Sequence, residues 1–127
     1  MRALAVGAPG VRRVRRPADA SGPTFDLTYV RTGPRTSVPA VVIPGGPGLG
    51  SVVPYRALRR RAARLGLDLI MVEHRGVGLS RTDPHDADLP GSAMRISAVV
   101  DDIAAVLDHE GVRSAVVVGS SYGSYVA

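Results

Sequence analysis

The chain has 127 residues, 45% of them hydrophobic, which is enough for one modest domain with a real core and too apolar for a disordered tail. It has no cysteine, which excludes a disulfide framework, a cysteine-based zinc site and a thiol nucleophile. All 16 basic residues are arginine and the net charge is +5, unevenly spread, with 12 arginines against two acids in residues 1–64 and 4 against 9 in residues 65–127.

The segment Met1 to Pro23 mixes Arg, Gly, Pro and Ala without a period and reads as a poorly ordered N-terminal extension. Its longest apolar stretch, Ala3 to Val6, is too short for a signal-peptide core or a membrane span, so the expectation is a cytoplasmic protein with no membrane partner. Arg12, Arg13, Arg15 and Arg16 form a cationic run that could meet nucleic acid. With few aromatic residues to stack on bases and no accompanying motif, it is read as a solvated or frayed terminus, and no nucleic-acid partner is expected. The domain itself is placed at residues 24–127. In Phe25 to Val30 apolar and polar residues alternate as in a half-buried strand that ends at Gly33-Pro34, expected antiparallel at a sheet edge.

Ala40 to Ile43 is a short buried strand that Pro44 stops before Gly45, Gly46, Pro47, Gly48, Leu49 and Gly50. A phosphate-binding loop needs successive backbone N–H groups; Pro47 has none and no lysine is present, so a nucleotide cofactor is not expected. A plain flexible turn and an oxyanion-binding loop remain. Pro44 to Gly48 is similar to the H-G-G-P-G loop of the proline iminopeptidase family of α/β-hydrolases, with Pro44 where that family usually has His. The resemblance implies that Gly45, Pro47 and Gly48 shape an oxyanion loop and that the N–H of Gly46 is its donor.

Pro54 to Leu65 carries Tyr55, Leu58, Ala62 and Leu65 at helical spacing, with Arg56, Arg59, Arg60, Arg61 and Arg64 read as a solvated face and Gly66 as the cap. Leu67 to Val72 forms a second buried strand. The segment Glu73 to Ser80 then resembles the D-x-R-G-x-G-x-S turn after the fourth strand of α/β-hydrolases, with Glu73 in place of the commoner Asp. That resemblance makes Glu73 and Arg75 a structural pair and Gly76 and Gly78 the turn glycines. His74 is weighed as a catalytic base and read instead as a locally bonded strand-end residue. Asp83, Asp86 and Asp88 beside His85 lack the Gly and Glu of a calcium loop, so no metal is expected. Arg95 to Glu110 is a helix, with Ile96, Val99, Val100, Ile103, Val106 and Leu107 inward, Asp101, Asp102 and Asp108 outward, and His109 in the last turn.

Val116 to Val118 reads as a strand buried on both faces. It runs into Gly119, Ser120, Ser121, Tyr122 and Gly123, and only Ser121 has a glycine two residues to either side. This resembles the G-x-S-x-G nucleophile elbow of α/β-hydrolases. The resemblance implies an α/β-hydrolase fold, of which the chain is the N-terminal portion: a mostly parallel sheet with flanking helices, truncated just after the elbow. It implies Ser121 as nucleophile, Gly119 and Gly123 as the glycines of the turn, and Tyr122 N–H as the second oxyanion donor. Ser121 is expected in strained backbone, with a helix from Tyr122.

The function implied is a serine hydrolase, an aminopeptidase acting on a small-molecule or peptide substrate without cofactor. The rivals are an esterase or lactonase on the same scaffold and an inactive fragment or interaction module. In this fold the triad acid and His follow the nucleophile, whereas His74, His85 and His109 precede it. The expectation is therefore the N-terminal part of a longer enzyme, inactive by itself. The oligomeric state is not legible.

Overall fold

The structure is a computed structural model and describes residues 9–46 and 48–127. Five strands, β1 (Val11–Arg16), β2 (Phe25–Thr32), β3 (Ala40–Ile43), β4 (Leu69–Val72) and β5 (Val116–Gly119), form one sheet in the order β1-β2-β4-β3-β5. β1 pairs antiparallel with β2, and β2 with β4, while β3 runs parallel to both β4 and β5. Parallel neighbours need crossover connections. These are α1 (Arg56–Arg64) between β3 and β4 and α2 (Ile96–His109) between β4 and β5. As a result β3, β4 and β5 all end at one edge of the sheet, and three turns meet there.

The core follows the two-residue period of the strands. Ile70 and Val72 face one side with Phe25, Leu27, Tyr29, Val41 and Ile43, against Val99, Ile103 and Val106 of α2. Leu69 and Met71 face the other with Val30, against Ala62 of α1. Among the described residues, no helix is long and apolar enough to cross a membrane.

Five expectations change, the first being that Ile96 and Val100, read as inward on α2, are 43% and 41% exposed. Residues 11–16, read as part of a poorly ordered extension, form β1, so β2 is not the edge strand but lies between β1 and β4. The cationic run is tied down: Arg15 Nε donates to Asp26 Oδ1 at 2.5 Å and Arg16 Nε to Asp102 Oδ1 at 2.8 Å. On α1 the inward stripe is Tyr55, Arg59 and Ala62, not the leucines, and Leu58 and Leu65 are 48% and 70% exposed. The buried Arg59 guanidinium donates to the carbonyls of Ser51 and Val52, which fixes the chain before α1. Finally, Val116, Val117 and Val118 are exposed, because β5 has a strand on one side only among the described residues.

Candidate active site at the carboxyl edge of the sheet

Ser121 follows β5 at the carboxyl edge and is exposed. Its φ is +52°, in the left-handed region that costs a non-glycine residue about 1–2 kcal/mol. Hydrogen bonds around the turn hold it there: Gly123 N donates to Ser120 O at 2.9 Å, and Ser124 donates to Ser121 O through its N–H at 3.0 Å and its hydroxyl at 2.6 Å. Tyr122 has helical dihedrals as the residue capping α3 (Gly123–Val126), so the chain turns from strand to helix in three residues. Ser121 therefore has the expected positive φ, and the helix begins one residue later than expected.

The two elbow glycines are required by contact. A Cβ on Gly119 would sit 2.5 Å from Gly123 O. One on Gly123 would enter the Ile43 carbonyl and lie 2.8 Å from Pro44 O, so β3 and the start of α3 touch through backbone. Ser120 N donates to Ile43 O at 3.1 Å and closes the same seam.

The loop after β3 lies beside this serine. A Cβ on Gly45 would be 3.0 Å from Ser121 Cβ and 3.7 Å from its Oγ. Gly46 and Gly48 have positive φ, at +71° and +87°. Pro47 lies outside the described residues. Among the described residues, neither Gly46 N–H nor Tyr122 N–H donates to the protein, which leaves two backbone donors unspent near Ser121.

The turn after β4 is held by side chains, and not by the pair expected. Glu73 does not bind Arg75; it accepts from Ser51 N at 2.7 Å, Val52 N at 3.2 Å and Leu79 N at 3.3 Å. One buried carboxylate thereby clamps the glycine loop to the 73–80 turn, a strong arrangement because the acceptor is charged. Gly50 and Gly78 pass close to it, and a Cβ on Gly78 would lie 2.6 Å from Glu73 Oε2. Gly76, at φ +78°, leaves room for Met94, whose Sδ would lie 2.5 Å from a Cβ there.

Arg75 instead makes a two-pronged pair with Asp102 of α2, through Nε to Oδ2 and Nη2 to Oδ1, both at 2.7 Å. It also donates to Ala93 O at 3.1 Å and stacks over the Phe25 ring at 5.2 Å. Asp102 is therefore fully buried, contrary to its expected outward position. The signal was present in the spacing: residue 102 is three beyond Val99 and four before Val106, on the apolar stripe.

His74 is buried with no partner on either ring nitrogen among the described residues, so the expected local hydrogen bond is not made. Burial holds its pKa below the usual histidine value, opposed by the nearby Asp102 and Glu73 charges. His85 and His109 are exposed, and Ser121 Oγ has no hydrogen-bond partner among the described residues. In the acidic loop, Asp83 Oδ1 accepts from His85 N at 2.8 Å and Ala87 N at 3.0 Å, while Asp88 pairs with Arg81 at 3.0 Å.

The comparisons with known proteins agree with this geometry. A protein from Agrobacterium vitis S4 that carries a provisional hydrolase description is 21% identical with TM-score 0.66, matching 91% of this chain and 42% of its own. Epoxide hydrolase A from Mycobacterium thermoresistibile is 21% identical with TM-score 0.61, over 91% of this chain and 33% of its own. Alpha/beta hydrolase domain-containing protein 10 from mouse is 19% identical with TM-score 0.61, over 91% and 42%. The chain thus spans less than half the length of each. No curated protein matches it. The sequence model of the alpha/beta hydrolase fold matches residues 39–127, from the start of β3 through the elbow, and with the sheet order and the positive-φ serine this makes the chain a member of the α/β-hydrolase family.

Proposed function

We propose that the whole protein is a serine hydrolase, most like the proline iminopeptidase group, in which Ser121 is the nucleophile. Ser121 Oγ adds to the acyl carbon of an N-terminal residue's amide, its proton passing to a base. The carbonyl oxygen becomes an oxyanion that accepts from the N–H groups of Gly46 and Tyr122; collapse, with the base returning its proton to the nitrogen, expels the amine and leaves an acyl-enzyme, which water then hydrolyses. The observation that carries this reading is the positive-φ Ser121 beside Gly45, with two unspent backbone donors nearby. The Pro44 to Gly48 motif supports the aminopeptidase over the esterase.

The base is assigned outside the described histidines. His74 is buried within the turn, between Glu73 and Arg75, His85 and His109 stand on the surface, and among the described residues none bonds Ser121. Residues 1–127 alone are accordingly expected to turn over no substrate at a normal rate. The test is to assay the protein at its native length on a prolyl amide and on a simple aryl ester, beside Ser121→Ala. Amide turnover lost in the variant supports the peptidase. Ester turnover alone transfers the site to the esterase reading, and activity retained by Ser121→Ala refutes the nucleophile.

A further inference from the structure

A second concave site lies at the other edge of the sheet. Thr32 pairs with Leu69, the first residue of β4, so the groove beside Thr32 and Gly33 opens where the parallel strands begin, away from Ser121. It has a volume of about 530 Å³, and Arg31, Arg56, Arg59, Arg60 and Arg64 line it with no acidic residue among the lining groups. Their situations differ. Arg31 is spoken for, donating to both oxygens of Asp68 at 2.9 and 2.7 Å. Arg59 is buried with only carbonyl oxygens and the Met71 sulfur as acceptors, so its charge has no carboxylate on it among the described residues. Burial lowers its pKa, the Glu73 charge opposes that, and Arg56 adds a smaller repulsion. Arg56, Arg60 and Arg64 are exposed and make no ion pair among the described residues.

Those three stand at i, i+4 and i+8 of α1, a row with a step of about 6 Å and a span of about 12 Å. Three forked cations in one row along a concave wall repel one another until an anion bridges them. A single compact anion would satisfy one or two of them, whereas a chain of anionic groups matches the row. The wall of Gly10 and Gly33, and the absence of any aromatic side chain among the described lining residues, fit a small ligand better than a nucleic-acid strand. We propose that this groove binds a small polyanion carrying two or more phosphoryl groups, at a site remote from the nucleophile.

The test is calorimetric titration of the purified protein with sodium tripolyphosphate. Saturable one-to-one binding is expected, weakened about a hundredfold by Arg60→Gln with Arg64→Gln, since each of the two lost charge-assisted contacts is worth roughly a factor of ten. Arg61→Gln with Arg113→Gln removes the same charge from exposed positions outside the groove and should change affinity by less than about twofold. Arg56→Gln is a second groove variant at the other end of the row, expected to weaken binding should the double variant unfold. No saturable binding, equal losses in the groove and control variants, or displacement of tripolyphosphate by a mixed-sequence oligonucleotide at equal phosphate would each overturn the proposal.

Discussion

Two turns at the same edge of the sheet are built by opposite means. The turn after β4 is made of side-chain chemistry: Glu73 gathers three backbone N–H groups and Arg75 locks onto Asp102. The elbow after β5 is made of missing side chains, since Gly119 and Gly123 let backbone meet backbone and, among the described residues, no side chain bonds the Ser121 hydroxyl. The first arrangement resists movement through buried charge. The second leaves one hydroxyl on a fixed support, uncommitted among the described residues and open to the base that a serine nucleophile requires.

If that contrast is right, the two turns should fail in different ways. The largest effect is expected at the elbow. Gly123→Ala puts a Cβ into two carbonyl oxygens of the β3 end, neither of which can yield without moving the sheet. Chemical denaturation should show a loss of more than about 4 kcal/mol, or no folded protein. A loss under about 1 kcal/mol would show that β3 and α3 do not touch as described.

Next comes Asp102→Asn at the other turn. It leaves Arg75 buried with a neutral partner and also releases Arg16, and should cost about 3–5 kcal/mol, the range for breaking a buried ion pair. The Arg75–Asp102 pair is also where the sequence was least legible. Polarity placed Asp102 and Arg59 outward, yet both sit on the inward stripe of their helices, because a buried partner decides the matter and the partner is distant in the chain. Asp102 finds Arg75 27 residues away, and Glu73 finds Ser51 N 22 residues away. By contrast the elbow could be read locally from its glycine spacing, since Gly119 answers a contact set by the turn itself, although Gly123 answers the distant end of β3. The strands were legible for the same reason, except for two features that depend on neighbours. β1 hides its register among arginines, and three consecutive valines read as buried whether or not a strand lies on their far side.

A smaller effect separates the turns by pH. His74 sits beside the charged turn with its folded pKa below its ordinary value, chiefly through burial. The unfolded chain therefore takes up a proton that the folded chain refuses, so stability present above about pH 6.5 falls as the pH drops through the unfolded value toward the folded one. His74→Leu should flatten that limb of the stability profile, measured by denaturation from neutral to mildly acidic pH. An unchanged slope would show that His74 is not the group responsible.

The smallest effect returns to the elbow. Ser121→Gly relieves the positive φ and should stabilise the fold by up to about 1 kcal/mol, while Ser120→Gly, with no such strain to relieve, should not. Destabilisation by Ser121→Gly would contradict the strained turn.

The central claim is that Ser121, alone among three neighbouring serines, is the nucleophile. It is tested most directly by treating the native-length protein with a fluorophosphonate and mapping the adduct by peptide mass spectrometry. The account predicts one adduct, on Ser121, lost in Ser121→Ala and kept in Ser120→Ala and Ser124→Ala. An adduct on Ser120 or Ser124, or one that survives Ser121→Ala, would contradict it.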